Sequence, residues 1–312
     1  MNQKTDRRSA VKKLRTLAIT NKSDIEDFRK KIEETFKCTI LPNRVDCSER
    51  DYGGIKCDVL TPEVYSSRRV MIYIHGGSFV AGSRDSWRNF CASLSNASST
   101  RVIVPEFRLA PTFPFPSSLE DIQAVFRMVY AEEQITLQLE DSDAKPQIII
   151  AADGTGASLA TALLLRLREK YRECVSNLIL LSPCLDFSDD SPLIANKKSS
   201  DEVMSAETLH RSVELYTYAS NFSNPHVSPL KALSESYRGF PEVYIQMGEK
   251  EILKNQVTQL EGLLQSADVN YVLDIWPDMM FMFQMADEYL AQSHLAIEKL
   301  GEYISFRDKE EK

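Results

Sequence analysis

The sequence predicts an α/β fold: a mostly parallel central β-sheet flanked by helices, with a helical cap. Three observations carry this. From about residue 53, short β-branched runs alternate with longer amphipathic stretches, the order expected when strands and helices take turns along a chain. The inner runs, Val70-Met71-Ile72-Tyr73-Ile74 and Gln147-Ile148-Ile149-Ile150, are almost continuously apolar, which suits strands covered on both faces. The second run passes directly into Asp153-Gly154-Thr155-Gly156 and then a helical pattern, giving a strand, a sharp turn and a helix.

Residues 1–50 read as an N-terminal helical cap segment. Ser23-Asp24-Ile25-Glu26 has the form of a capping box, and Ile25, Phe28, Ile32 and Phe36 recur behind it at helical spacing. Residues 51–312 form the core. Its predicted strands are 55–60, 70–75, 101–107, 147–152, 178–182, 242–247 and 271–276. Its predicted helices are 86–98, 117–131, 156–171, 203–219, 253–266 and 286–305. A polar loop from Asp186 to Ser200 leads into a second cap segment at about 186–222. No internal repeat interrupts this order.

Size and composition narrow the function. A chain of 312 residues can bury one large core, here one domain plus a cap. The net charge of −8, with no basic stripe, argues against nucleic acid. Six cysteines, at 38, 47, 57, 91, 174 and 184, show no metal-site spacing. They read as reduced thiols in a cytoplasmic protein. The basic N-terminus (Lys4, Arg7, Arg8, Lys12, Lys13, Arg15) lacks the apolar run of a secretory signal. It reads as a solvated, partly frayed end, with a targeting segment as the alternative. No run of ~18 apolar residues predicts a membrane span. No glycine-rich phosphate loop and no His/Cys cluster is present, so neither cofactor nor metal is expected.

Three segments carry chemistry. In His75-Gly76-Gly77-Ser78-Phe79, the paired glycines let the backbone pass close to a carbonyl oxygen and aim amides at it. Phe107-Arg108-Leu109-Ala110-Pro111, with Phe113-Pro114-Phe115-Pro116 and Leu119-Glu120-Asp121, reads as a proline-set loop in which Arg108 pairs with a buried carboxylate. Ala152-Asp153-Gly154-Thr155-Gly156-Ala157-Ser158-Leu159-Ala160 is the sharp turn itself.

Together these segments resemble the hormone-sensitive-lipase-like α/β-hydrolases, the group of acetyl esterases and arylacetamide deacetylases. Further matches are Leu181-Ser182-Pro183, Pro225-His226-Val227-Ser228-Pro229-Leu230 and Gln246-Met247-Gly248. The resemblance spans roughly residues 50–305 and implies the α/β-hydrolase fold. It also implies a Ser–acid–His triad, in that chain order. The family's G-D-S-A-G aligns on Asp153 and Gly156, which puts Gly154 on the serine. Its late acid falls on Glu251 in Gly248-Glu249-Lys250-Glu251, and its histidine falls on Phe281 in Asp278-Met279-Met280-Phe281-Met282-Phe283. The remaining histidines, His210, His226 and His294, sit elsewhere and read as structural or solvated.

The resemblance therefore implies a degenerate triad at Gly154, Glu251 and Phe281. Oxyanion-hole-like amides are expected at Gly76, Gly77 and Thr155. Candidate pocket residues are His75, Ser78, Phe79, Asp153 and Met282. Thr155 lies one residue past the serine position, so its hydroxyl points elsewhere. The apolar cluster of Met279, Met280, Phe281, Met282, Phe283 and Met285 reads either as added core or as a remodelled ligand pocket. The functional expectation is a non-catalytic protein that binds a small apolar ligand or a protein partner. The alternative is a weak or repurposed carboxylic-ester hydrolase that retains its oxyanion hole. Pairing with an active relative is a third reading, and the resemblance adds homodimerisation as a family habit.

Overall fold

A computed structural model describes residues 3–37, 40–42, 44–65, 69–140, 144–191 and 200–306. Eight strands form one sheet: β1 (Val45–Tyr52), β2 (Ile55–Pro62), β3 (Arg69–Ile74), β4 (Arg101–Pro105), β5 (Gln147–Asp153), β6 (Val175–Leu181), β7 (Glu242–Gly248) and β8 (Tyr271–Trp276). Their spatial order is β1-β2-β4-β3-β5-β6-β7-β8. The β1/β2 and β2/β4 pairs are antiparallel and all others parallel. The predicted parallel interior is borne out: β3 and all of β5 after Gln147 are buried.

The helices are α1 (Gln3–Leu14), α2 (Ile25–Phe36), α3 (Arg84–Ser98), α4 (Ser117–Leu139), α5 (Gly156–Arg166), α6 (Glu169–Arg172), α7 (Ala206–Tyr216), α8 (Lys254–Ser266) and α9 (Ala291–Phe306). Several expectations need correction. The stretch read as one helix over 156–171 breaks at Leu167, whose backbone is extended. The last helix starts at Ala291, after a 3₁₀ turn at Phe283–Met285. Most of strand β1 lies inside the segment read as a helical lead-in. The N-cap of α2 is Asp24, not Ser23: its carboxylate accepts the amides of Glu26 and Asp27. The carboxylate at the cap itself reaches two otherwise orphaned amides.

Helix α1 is docked rather than frayed. Arg7 pairs with Glu202 and, at 3.1 Å, with Asp278, while Lys13 pairs with Glu288 at 2.6 Å. The N-terminal segment is thereby strapped to the loops that follow β6 and β8. The expected Arg108 pairing is present: its guanidinium donates to buried Asp121 at 2.6 and 3.0 Å, and the Arg108 amide donates to the same carboxylate at 2.9 Å. That pairing holds the loop before α4 against the helix it leads into.

Candidate functional site

Strand β5 ends at Asp153, and α5 begins three residues later. Gly154 between them has φ +49°, in the left-handed region that glycine enters without the Cβ penalty. Its amide donates to the Leu181 carbonyl at 3.0 Å, and its carbonyl accepts from the Cys184 amide at 2.9 Å. The turn is thus pinned to the end of β6 on both sides. Gly156 has to be small, because a Cβ there would lie 2.2 Å from the Ile74 carbonyl oxygen. A Cβ on residue 154 would point at Phe281, 3.3 Å from its Cζ. The phenyl ring occupies the space above the turn.

Phe281 follows β8 within Met279–Phe283, all of it buried. Met282 takes φ +53° and donates its amide to Ser182 Oγ at 3.1 Å. Ser182 in turn donates to Glu251 Oε1 at 2.7 Å, and the Gly248 amide donates to the same oxygen at 2.6 Å. Glu251 Oε2 is buried with no hydrogen-bond partner among the described residues. Burial, and then the neighbouring Asp201 carboxylate, hold the Glu251 carboxyl well above the usual carboxylate range, since both disfavour its charged form. The Phe281 ring therefore stands over the Gly154 turn, and Glu251 is linked to the next residue's amide through Ser182.

The amide set differs from expectation at one position. The Gly76 amide donates to Asp153 Oδ1 at 3.1 Å, alongside Tyr73 Oη at 2.9 Å and Trp87 Nε1 at 2.8 Å. That amide is spent on holding a buried carboxylate and is unavailable to a ligand. Gly77, Ser78 and Thr155 border a small cavity, together with Leu17, Asp153, Gly154, Met204 and Phe281. Thr155 Oγ1 accepts the Phe79 amide at 3.3 Å, so its hydroxyl is engaged with the loop. Burial pushes Asp153 up to about 7, against three hydrogen bonds that favour its charged form.

Of the five pocket candidates, only Ser78 and Asp153 border the cavity. His75 is stacked on Phe107 (centroids 4.3 Å apart) and beside Trp87 (5.1 Å). Its Nδ1 lies 2.8 Å from the Gly76 carbonyl oxygen, which can only accept, so the ring proton sits there. Burial lowers His75 to about 4. Phe79 stacks on Tyr216 at 4.0 Å, and Met282 is fully buried behind the loop. The cavity volume is ≈ 10 Å³, about enough for one water. Sequence reasoning missed Leu17 and Met204, which close it from the N-terminal segment and the loop before α7. No histidine borders it among the described residues. His210 and His294 instead face Glu214 and Glu298 at 3.2 and 3.1 Å. Among the described residues no His/Cys/Asp/Glu cluster could hold a metal, and no helix is long and apolar enough to cross a membrane.

A sheet of this order, with its sharp turn at the end of β5 and glycine-built amides after β3, defines an α/β-hydrolase scaffold. Residues 71–285 match the family profile of the alpha/beta hydrolase fold, and the chain belongs to the hormone-sensitive-lipase-like α/β-hydrolase family. It is similar to an acetyl-hydrolase of Streptomyces hygroscopicus, 27% identical over 236 residues and covering 76% of this chain and 75% of the relative. An esterase of Acinetobacter venetianus is 29% identical over 275 residues, covering 87% and 86%. Among solved structures, a hormone-sensitive lipase from a metagenome library superposes with a TM-score of 0.79 at 28% identity, covering 92% and 94%. An esterase of the bacterial hormone-sensitive lipase family gives 0.84 at 24% identity over 98% and 99%, a likeness of fold.

Proposed function

We propose that this chain is a non-catalytic member of its family and acts by binding a protein partner rather than by turnover. The observation that carries this reading is the Phe281 ring seated against Gly154, at 3.3 Å from where a Cβ would stand. In this reading Gly154 and Phe281 hold the positions of the family's serine and histidine. Acyl transfer needs a nucleophile, a base to take its proton and a group to orient the base. Glu251 alone remains to orient, and burial favours its neutral form. A glycine at the turn keeps the backbone geometry without the ~1–3 kcal/mol of strain that a side chain bears there.

The closed cavity favours a protein over a small apolar ligand. Ligand pockets run to ≈ 300–1,000 Å³, and here ≈ 10 Å³ is left. The methionine-rich cluster then serves as core. Segments 1–50 and about 186–222 act as the cap in this reading, and the cap and the sheet edges at β1 and β8 are the surfaces open to a partner. A second copy of the chain is one such partner. A cytoplasmic location goes with it, in keeping with the five described cysteines, all free thiols.

One observation favours a second reading, a weak carboxylic-ester hydrolase. Gly77, Ser78 and Thr155 still border the cavity, and relatives are named as esterases. Hydrolases stripped of triad members retain ~10³–10⁴-fold acceleration from binding and the oxyanion hole. Covalent labelling with a fluorophosphonate separates the two. No label, at a concentration that labels an active esterase fully, is the expected result. A labelled residue mapped to Ser78 or Thr155 would overturn the non-catalytic reading.

A further inference from the structure

Away from the closed site, α4, the end of α5 and the start of α6 enclose a second cleft. Gln123, Arg127, Arg166, Leu167, Arg168 and Tyr171 line it, and its volume is about 260 Å³. Three arginines, Arg127, Arg166 and Arg168, line one space that no carboxylate lines. This is unusual for a chain of net charge −8. Several other arginines meet acids: Arg84 and Arg88 share Asp58, Arg101 meets Glu133, and Arg108 meets Asp121.

The local counter-charges are committed elsewhere. Glu173 pairs with Lys145, and the charge of Glu169 acts on Arg172. The Leu167 carbonyl, at the negative end of α5, accepts from Arg172 at 3.0 Å. The side chains of Arg127, Arg166 and Arg168 have no hydrogen-bond or ion-pair partner among the described residues. Tyr171 is fixed edge-on to Tyr130, with centroids 5.0 Å apart, and Lys170 Nζ lies 4.6 Å from its ring centroid. A fourth cation therefore stands beside the cleft.

A cleft lined by cationic side chains and by no carboxylate offers an incoming anion its counter-charge. The planar, permanently charged guanidinium fork matches phosphate oxygens two at a time. We propose that this cleft binds a phosphate group, either as inorganic phosphate or as a compact phosphomonoester whose organic part lies on Tyr171 and Leu167. The volume sits just under the range of larger ligands, which favours a compact one. The site is independent of the chemistry at Gly154.

The test is calorimetric titration of the full chain with inorganic phosphate and with phenyl phosphate, at constant ionic strength. Saturable single-site binding is expected. Arg127→Gln and Arg166→Gln each weaken it about tenfold or more, the size expected for a lost charge-assisted bond. Arg8→Gln, on α1, leaves it unchanged. Phenyl phosphate binding more tightly assigns a monoester to the cleft; equal affinity assigns the free ion. Circular dichroism and a thermal melt show that each variant folds. No saturable binding to the wild type, or the same affinity in the folded glutamine variants, overturns the proposal.

Discussion

Replacing Gly154 by alanine tests the packing at the turn without adding chemistry. The added Cβ meets two penalties. Residue 154 has φ +49°, and a left-handed conformation costs an L-residue roughly 1–2 kcal/mol. The Cβ also stands 3.3 Å from Phe281 Cζ and 4.0 Å from Cε2, so the ring has to give inside a packed core. Overpacking of that kind costs about 1–3 kcal/mol, taken at its lower half because the shift needed is small. Gly154→Ala should therefore destabilise the protein by about 2–4 kcal/mol. Phe281→Leu removes the far end of the ring, and in that background only the backbone penalty remains. Urea unfolding of the wild type, the two single variants and the double variant gives the coupling energy. The structure predicts a coupling of about 1–2 kcal/mol, with the double variant less destabilised than the sum of the singles. Additivity to within ~0.5 kcal/mol would show that the ring does not close on the turn, and the account of the site would fall.

Other consequences follow from the same contacts. Leu17→Ala removes the buried roof of the cavity and should cost about 2–4 kcal/mol in chemical unfolding; no loss would mean that the N-terminal segment is not seated. Asp121→Ala strips Arg108 of its partner, and since Arg108 is 42% exposed the cost should be about 2 kcal/mol, below that of a fully buried pair. The pH dependences of Asp153 and His75 oppose each other. Asp153, raised to about 7 from 3.8, contributes stability that is complete below about pH 4 and is lost as pH rises through 7. His75, lowered to about 4 from 6.5, contributes stability that is present above 6.5 and is lost as pH falls through 4. Asp153→Asn should thus gain on the wild type as pH rises from 4 to 7, by a few kcal/mol at most. His75→Gln should gain on the wild type as pH falls over the same window. Parallel pH profiles for wild type and variants would refute both assignments.

The parts legible in the sequence are those set by local pattern. Strands β2 to β8 announce themselves through β-branched runs, and the turn at Gly154 through its strand-to-helix junction. Strand β1 did not, because only its end residues Val45 and Tyr52 are buried and the six between are exposed, which leaves no period-2 signal. Its hairpin did leave a trace: Tyr52-Gly53-Gly54-Ile55, with φ +70° and +87° at the glycines, is a two-residue turn of the primed type. The docking of α1 depends on Glu202, Asp278 and Glu288, far along the chain, and local sequence carries no sign of it. The same holds for Asp153, whose donors come from β3, α3 and the loop after β3. The Gly76 amide has the spacing of an oxyanion donor, and only the tertiary structure shows it bound to a carboxylate. The place of His75 and Phe79 in the motif points to the pocket, whereas stacking on Phe107 and Tyr216 turns them into the core.

The central claim is that this scaffold has no working nucleophile and base. It is tested most directly by hydrolysis of p-nitrophenyl acetate and butyrate, with the purified wild type beside the Gly154→Ser/Phe281→His double variant. The account predicts a wild type at the buffer background and a double variant with measurable turnover, its new imidazole oriented by Glu251. Wild-type turnover that stays above background through repurification would contradict it.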